Sequence, residues 1–448
     1  MMASDKINEN GASKFLQASN MFILLVLILA TLVSFNCSAS LEGGKGVRLE
    51  VLNKLKSSGI IGQHAVQVEL GSRNSKLSLV LDTAIDLTWI QCQPCKGCSE
   101  QLPIFNYSSS ETYSDLPCSS GYCSALAAVK GEESGPECRN STSPCEYQLG
   151  YSYAPGRLGK DQLSFAAGGG GAEAAVLLND FVFWCGNASG YLSGGGVEAG
   201  AMGLGKGGNL SILYQQAAAS NESRGLEKCF SYCLTTVNGA GGHLTFGCQQ
   251  EAAAVMNYTN FYKTPDEPHA MWYTTKVSAI SVNGRKLNYT ITERERTSNT
   301  TRNVTRPLFA FDTTVETATP ISLLPPTIYK ALNDSFTHLM QGYPRAPPAT
   351  SDPLLFDNCY NLKTLSAADV RRITPSISFT FGDNTVVDLD PSAVMYPVNP
   401  DNSQVCLAFT PNRRDEDIPV IGALQQQTLG VFFDIPRGRM GFKHHDCT

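Results

Sequence analysis

Two short stretches of the chain place an aspartate and a hydroxyl at the end of an apolar run. The first is Leu79-Val80-Leu81-Asp82-Thr83, followed by Ala84 and Ile85. The second is Leu308-Phe309-Ala310-Phe311-Asp312-Thr313, followed by Thr314 and Val315. A carboxylate that ends a buried strand is costly unless it is hydrogen-bonded or partnered. Two such carboxylates that met would share a proton, because like charges a few ångströms apart cannot both ionise. Such a pair can activate a water, one member acting as general base while the protonated member polarises a carbonyl. This chemistry needs no covalent intermediate, metal or cofactor.

Asp82 is followed 121 residues later by Gly203, in Ala201-Met202-Gly203, and Asp312 is followed 110 residues later by Gly422, in Val420-Ile421-Gly422. An Asp-bearing strand followed at similar distance by two apolar residues and a glycine is a coarse internal repeat. It implies duplication, with two lobes facing each other.

Longer strings make the pattern specific. They are DLTWIQCQPC from Asp86, GLGKGGNLSILYQQ from Gly203, CFSYCL from Cys229, VSAISVNGRKL from Val277 and IGALQQQTLGVFFDIPRGRMGF from Ile421. On these, the chain resembles the pepsin-like aspartic proteases of the plant nepenthesin-type branch, from about residue 60 to the C-terminus. The resemblance implies an all-β fold with minor helices, in which two β-barrel-like lobes enclose a central cleft. It implies Asp82 and Asp312 as the catalytic carboxylates, with Thr83 and Thr313 bracing their loops. Tyr151 matches the flap tyrosine that closes over substrate, and Trp89 the tryptophan that donates its indole hydrogen to it. Gly203 and Gly422 match the glycines of the loops threading behind each aspartate.

The chain departs from the family pattern of Asp, Thr or Ser, Gly, then Ser or Thr in each lobe. The glycines become Ala84 and Thr314, and the outer hydroxyls become Ile85 and Val315. Added Cβ atoms where two loops meet should twist or separate them, and overpacking costs on the order of 1–3 kcal/mol. The flap, from Tyr151 to Gly159, loses its tip glycines and its aspartate and gains Arg157.

Residues 1–40 hold the fifteen-residue apolar run Met21–Phe35, followed by Ser38-Ala39-Ser40. That length is short for a membrane span and suits the core of a signal peptide. Residues 41–59 leave room for a short prosegment or linker. Residues 60–262 form the expected N-terminal lobe, with a Cys-rich insertion at 92–145 and the flap at 147–163. Residues 263–448 form the second lobe. The strand pattern is plainest in His64-Ala65-Val66-Gln67-Val68-Glu69-Leu70. One helix is expected from Pro325-Pro326, with Ile328, Leu332, Phe336 and Leu339 on one face. The polar stretch 293–306 reads as an exposed loop.

The chain carries fifteen cysteines. Behind a signal peptide they are expected to form disulfides rather than a zinc site, despite the C-x-x-C-x-x-C at Cys92, Cys95 and Cys98. Setting Cys37 aside leaves those three with Cys118, Cys123, Cys138, Cys145, Cys185, Cys229, Cys233, Cys248, Cys359, Cys406 and Cys447. By the resemblance, Cys229 and Cys248 are additional to the family's usual set and flank an expected hairpin, which pairs them. Sequons begin at Asn106, Asn140, Asn187, Asn209, Asn221, Asn257, Asn288, Asn299, Asn303 and Asn333, as expected of a glycosylated protein. The net charge of −6 comes without a basic cluster and gives no footing for nucleic acid.

Two functions are consistent with these residues, and the first is the expectation, since a chain without chemistry has no evident need to keep two costly buried carboxylates. One is a secreted acid endopeptidase of reduced turnover, acting on polypeptides in the wall space or vacuole. The other is a catalytically silent relative that binds protein or glycan in the cleft, as an inhibitor or receptor-like protein. Either is expected to be a monomer without stable membrane association once the signal is removed.

Overall fold

The computed structural model describes residues 47–444, apart from 54–62, 97–103, 128–137, 148–154, 166–175, 189–197, 209, 213–214, 216–227, 237–240, 249–255, 263–270, 297–300, 309 and 350–355. Strands dominate. In the first lobe, His64–Leu70 pairs antiparallel with Ser75–Asp82, from Ala65 opposite Val80 to Leu70 opposite Ser75. The turn between them uses Gly71 and Asn74, both at positive φ, a region that only glycine and asparagine enter cheaply. Ser75–Asp82 then takes Gly200–Gly203 as a parallel neighbour, ending with Asp82 opposite Gly203. Trp89–Lys96 flanks Gly200–Gly203 on its other edge and runs parallel to Val176–Ala188.

The second lobe repeats this device. Phe311–Val315 lies antiparallel to Thr274–Val282 and parallel to Val420–Ile421. Its parallel register sets Thr314 opposite Val420 and Val315 opposite Ile421. Glu316 and Gly422 follow directly after this ladder, and the Glu316 N–H donates to Ile421 O at 3.1 Å.

A shared layer joins the lobes. Cys229–Cys233 pairs on one edge with His243–Phe246 and on the other with the C-terminal strand Leu429–Asp434. Arg439–His444 and then Asn257–Asn260 continue the layer. Phe230 and Phe433 stack across it with ring centroids 4.6 Å apart, and Tyr273 packs on both. The main core includes residues of both lobes.

The expected helix is present as Pro326–Leu339, buried through Ile328, Tyr329, Leu332 and Phe336. Leu339, however, is 41% exposed, while Met340 is fully buried. Leu339 is the last residue of the helix, and the buried face runs on from Phe336 to the capping residue Met340 in a step of four rather than three. The stretch expected to be a loop is instead a hairpin, Thr290–Arg296 against Thr301–Pro307, with Glu295 opposite Arg302. Its strand-forming residues Thr290, Ile291, Thr292, Val304 and Thr305 outweigh its charge.

Disulfides join Cys92 to Cys185, Cys118 to Cys138, Cys123 to Cys145, Cys229 to Cys248 and Cys359 to Cys406. The sulfurs of Cys118, Cys123 and Cys138 lie within 4.8 Å of one another but belong to two of these bridges. Cys95 and Cys233 are also disulfide-bonded, whereas Cys98 and Cys447 lie outside the described residues. Among the described residues, no helix is long and apolar enough to cross a membrane.

Candidate active site

Asp82 ends the strand Ser75–Asp82 and is fully buried. Its Oδ1 accepts the Ala84 N–H at 2.8 Å, so the loop that follows curls back to hold the carboxylate. Thr83, also buried, reaches across to the other lobe, where its Oγ1 donates to Val315 O at 2.8 Å. The answering group is Thr317, whose Oγ1 donates to Leu81 O at 2.7 Å. Each threonine hydroxyl also accepts the other's backbone N–H, both at 3.2 Å.

This reciprocity fixes the equivalence of the two loops. Leu81 precedes Asp82 and Val315 precedes Glu316, so Glu316 stands where the second carboxylate belongs. By the same count Thr317 matches Thr83, Ala318 matches Ala84 and Thr319 matches Ile85. The parallel register agrees, with Leu81 opposite Met202 just before Asp82 and Gly203, and Val315 opposite Ile421 just before Glu316 and Gly422. A Cβ at Gly203 would lie 2.3 Å from Asp86 O, and one at Gly422 would lie 2.4 Å from the Ile321 carbonyl carbon. Each glycine therefore lets a threading strand touch the loop just beyond its carboxylate.

Asp312 and Thr313, the expected partners, sit elsewhere. The Asp312 side chain is 52% exposed and pairs with Lys276 at 3.5 Å, the residue opposite it in the sheet. Thr313 donates instead to Pro419 O at 3.0 Å. The reason is alternation: Asp312 lies near the start of Phe311–Val315 and points outward, and the strand runs on before the loop begins. Thr314 and Val315 are accordingly strand residues, and the replaced glycine and outer hydroxyl position of that loop are Ala318 and Thr319. The sequence held the signal, since Asp82-Thr83-Ala84 and Glu316-Thr317-Ala318 are alike after the acid.

The electrostatics follow burial. Glu316 is 8% exposed, and desolvation pushes its pKa up to about 7. The nearby Asp82 charge adds to that rise, while the Thr319 hydroxyl opposes it, donating to Glu316 Oε2 at 2.6 Å. Asp82 has no such hydroxyl in its own loop, because Ile85 occupies the matching position. Ile85 packs with Val80 and Ala201, and Ala318 of the opposite loop lies against this cluster. Two departures from the expected pattern, Ile85 and Ala318, thus share one apolar cluster. Sequence reasoning also passed over Asp86, pushed up to about 6 by burial, against the pull of the Gly207 N–H and of Lys206.

Trp89 is buried, and its indole N–H has no partner among the described residues. Tyr151 lies outside them. Arg157 is held at the base of the flap by Asp115 at 3.1 Å and Glu146 at 2.9 Å. Of the sequons, Asn140, Asn187, Asn257 and Asn288 are exposed. Asn106 accepts the Ser108 hydroxyl, and Asn333 sits in a helix with its side-chain oxygen held by Asn358. Asn303 lies in the hairpin strand Thr301–Pro307, while Asn209, Asn221 and Asn299 fall outside the described residues.

The chain matches the family models described as xylanase inhibitor N-terminal, over residues 64–248, and xylanase inhibitor C-terminal, over 272–444. An aspartyl protease family protein of Arabidopsis thaliana is 34% identical over 396 residues, spanning 86% of this chain and 73% of the relative. The chain belongs to the plant pepsin-like aspartic protease family. Nepenthesin-1 of Nepenthes gracilis, another member, is 26% identical over 392 residues, 86% of this chain and 78% of its own. Among solved structures, basic 7S globulin from soybean superposes with a TM-score of 0.62 at 21% identity, covering 89% of this chain and 95% of that one. At that identity the superposition speaks for the shared two-lobed fold alone.

Proposed function

We propose that this aspartic-protease homologue binds polypeptide between its lobes but hydrolyses it far more slowly than an Asp–Asp pair would. The observation that carries this reading is Glu316 in the position of the second carboxylate. The pair keeps the charge logic of a dyad, because a buried Glu316 with a pKa of about 7 beside buried Asp82 favours one shared proton. It departs in geometry. The extra methylene of Glu316 moves its carboxylate by about 1.5 Å, one carbon–carbon bond. A displacement of about 1 Å at reacting groups can cost roughly 100-fold in rate. Ala84 and Ala318 put a methyl at each motif glycine position without parting the loops, whose threonine contacts are made, and Ile85 replaces the outer hydroxyl of the Asp82 loop.

Binding is a milder demand, met by a scaffold whose interlobe threonine contact is intact. The matched family models carry an inhibitor's description, which agrees with binding, whereas named relatives are proteases. The protein is proposed to be secreted, glycosylated and monomeric, acting in the wall space or vacuole on a protein ligand. Acid endopeptidase activity is the second reading, favoured by the proton-sharing pair.

Cleavage of an unfolded protein across pH 3 to 7 separates the two. The wild type is expected to run at least about 100-fold slower than the combined variant Glu316→Asp, Ala318→Gly and Ala84→Gly. Wild-type cleavage as fast as that variant's, and lost in Asp82→Asn, would establish the endopeptidase instead.

A further inference from the structure

Trp272 belongs to the second lobe, yet its indole Nε1 donates to Ala84 O in the first carboxylate loop at 3.0 Å. Ala84 is the residue whose N–H holds Asp82 Oδ1, so the acceptor lies two residues from the carboxylate itself. An extended polypeptide laid along a protein surface gains its affinity from main-chain hydrogen bonds. At Ala84 the main-chain acceptor beside the acid pair is already in use.

The backbone around Trp272 is fixed from several sides. Lys206, in the glycine-rich loop after Gly200–Gly203, is buried and its Nζ donates to Trp272 O and to Tyr262 O. The Lys206 N–H donates to Met271 O at 3.0 Å. Tyr273 is fully buried among Phe230 and Phe433, and its hydroxyl donates to Leu204 O at 2.7 Å. Trp272 itself is only partly buried, whereas Trp89 and Trp184 are each 2% exposed. The backbone of Trp272 is thus clamped, while its indole is partly exposed and bonded to Ala84 O.

We infer that Trp272 occludes the site from within: its indole holds the Ala84 carbonyl until an extended polypeptide displaces it and takes that acceptor with its own N–H. This inference rests on the polypeptide-binding reading above and names the contact that a ligand must break. Trp272 is a gating residue here, with no part in bond cleavage.

The test uses the full chain and a non-hydrolysable statine-containing peptide, with affinity measured by calorimetry at pH 5. Trp272→Phe keeps the ring and removes the N–H donor. It is expected to bind the peptide about three- to tenfold more tightly, the worth of one hydrogen bond no longer broken on binding. Acrylamide quenching of the wild-type fluorescence gives a second readout that needs no variant: peptide should expose the indole and increase quenching. Equal or weaker binding by Trp272→Phe, with quenching unchanged by peptide, overturns the gate while leaving polypeptide binding intact. Peptide that binds neither protein overturns the polypeptide reading and the gate with it.

Discussion

The loop after Asp82 and the loop after Glu316 are built on one plan and finished differently. Both follow a strand threaded in parallel by a later one, both place a threonine hydroxyl on the opposite lobe's carbonyl, and both have alanine next. They differ in the length of the acid and in the residue three positions on, where Thr319 bonds Glu316 and Ile85 instead joins an apolar cluster. The shared parts are those that hold the lobes together. The differing parts are those that would aim a water at a carbonyl. Scaffold and chemistry are therefore separable here, as fold and function generally are.

The largest expected effect comes from breaking what the loops share. Thr83→Val removes a donor from Val315 O and an acceptor from the Thr317 N–H, and Thr317→Val does the same in mirror image. Leaving two buried polar groups unmatched should cost about 3 kcal/mol in either variant, read by urea denaturation. The double variant should cost less than the sum, because the two hydroxyls serve one network. Thr313→Val, which loses a single bond to Pro419 O, should cost about 1 kcal/mol. A larger loss from Thr313→Val than from Thr317→Val would contradict the equivalence of the loops.

What differs between the loops should appear as pH dependence. Glu316 loses its proton near 4.5 when unfolded and near 7 when folded. Between these values the folded state binds more protons, so stability falls as pH rises through that window. The full effect is about 3 kcal/mol, present below pH 4.5 and lost by pH 7. Asp86, raised from 3.8 to about 6, acts in the same direction over a lower window. Glu316→Gln should flatten the curve between pH 5 and 7 and raise stability at pH 7, leaving the Asp86 share between pH 4 and 6. An unchanged slope in urea midpoints above pH 6 would mean that Glu316 is not held neutral in the fold.

Much of the architecture was legible in the sequence, because it depends on periodicity and on long strings that few folds share. The strand His64–Leu70, the helix from Pro326 and the first loop are where those patterns put them. The second loop was misplaced for a local reason. Asp312-Thr313 satisfies a residue-type match but lies near the start of a strand, where alternation decides exposure. The real position carries a glutamate, which a search for aspartate passes by. The hydrogen bonds between Thr83 and Thr317, 234 residues apart in sequence, fix the count, and once it is fixed the likeness of Thr83-Ala84 to Thr317-Ala318 becomes visible. The Trp272 contact was likewise unreadable, since nothing in Met271-Trp272-Tyr273 points to Ala84.

The smallest expected effect is the sharpest on identity. Asp312→Asn removes a surface pairing with Lys276 in which both side chains are about half exposed. Such pairs are worth about 0–1 kcal/mol, because water and salt screen them and ordering two side chains offsets the gain. Stability should therefore change by less than about 1 kcal/mol, and any residual cleavage or peptide binding should be untouched. Asp82→Asn in the same assays disturbs a fully buried carboxylate and should alter both. If Asp312→Asn abolished function as Asp82→Asn does, the second carboxylate would be Asp312 after all, and the loop would have to move by several residues to bring it in.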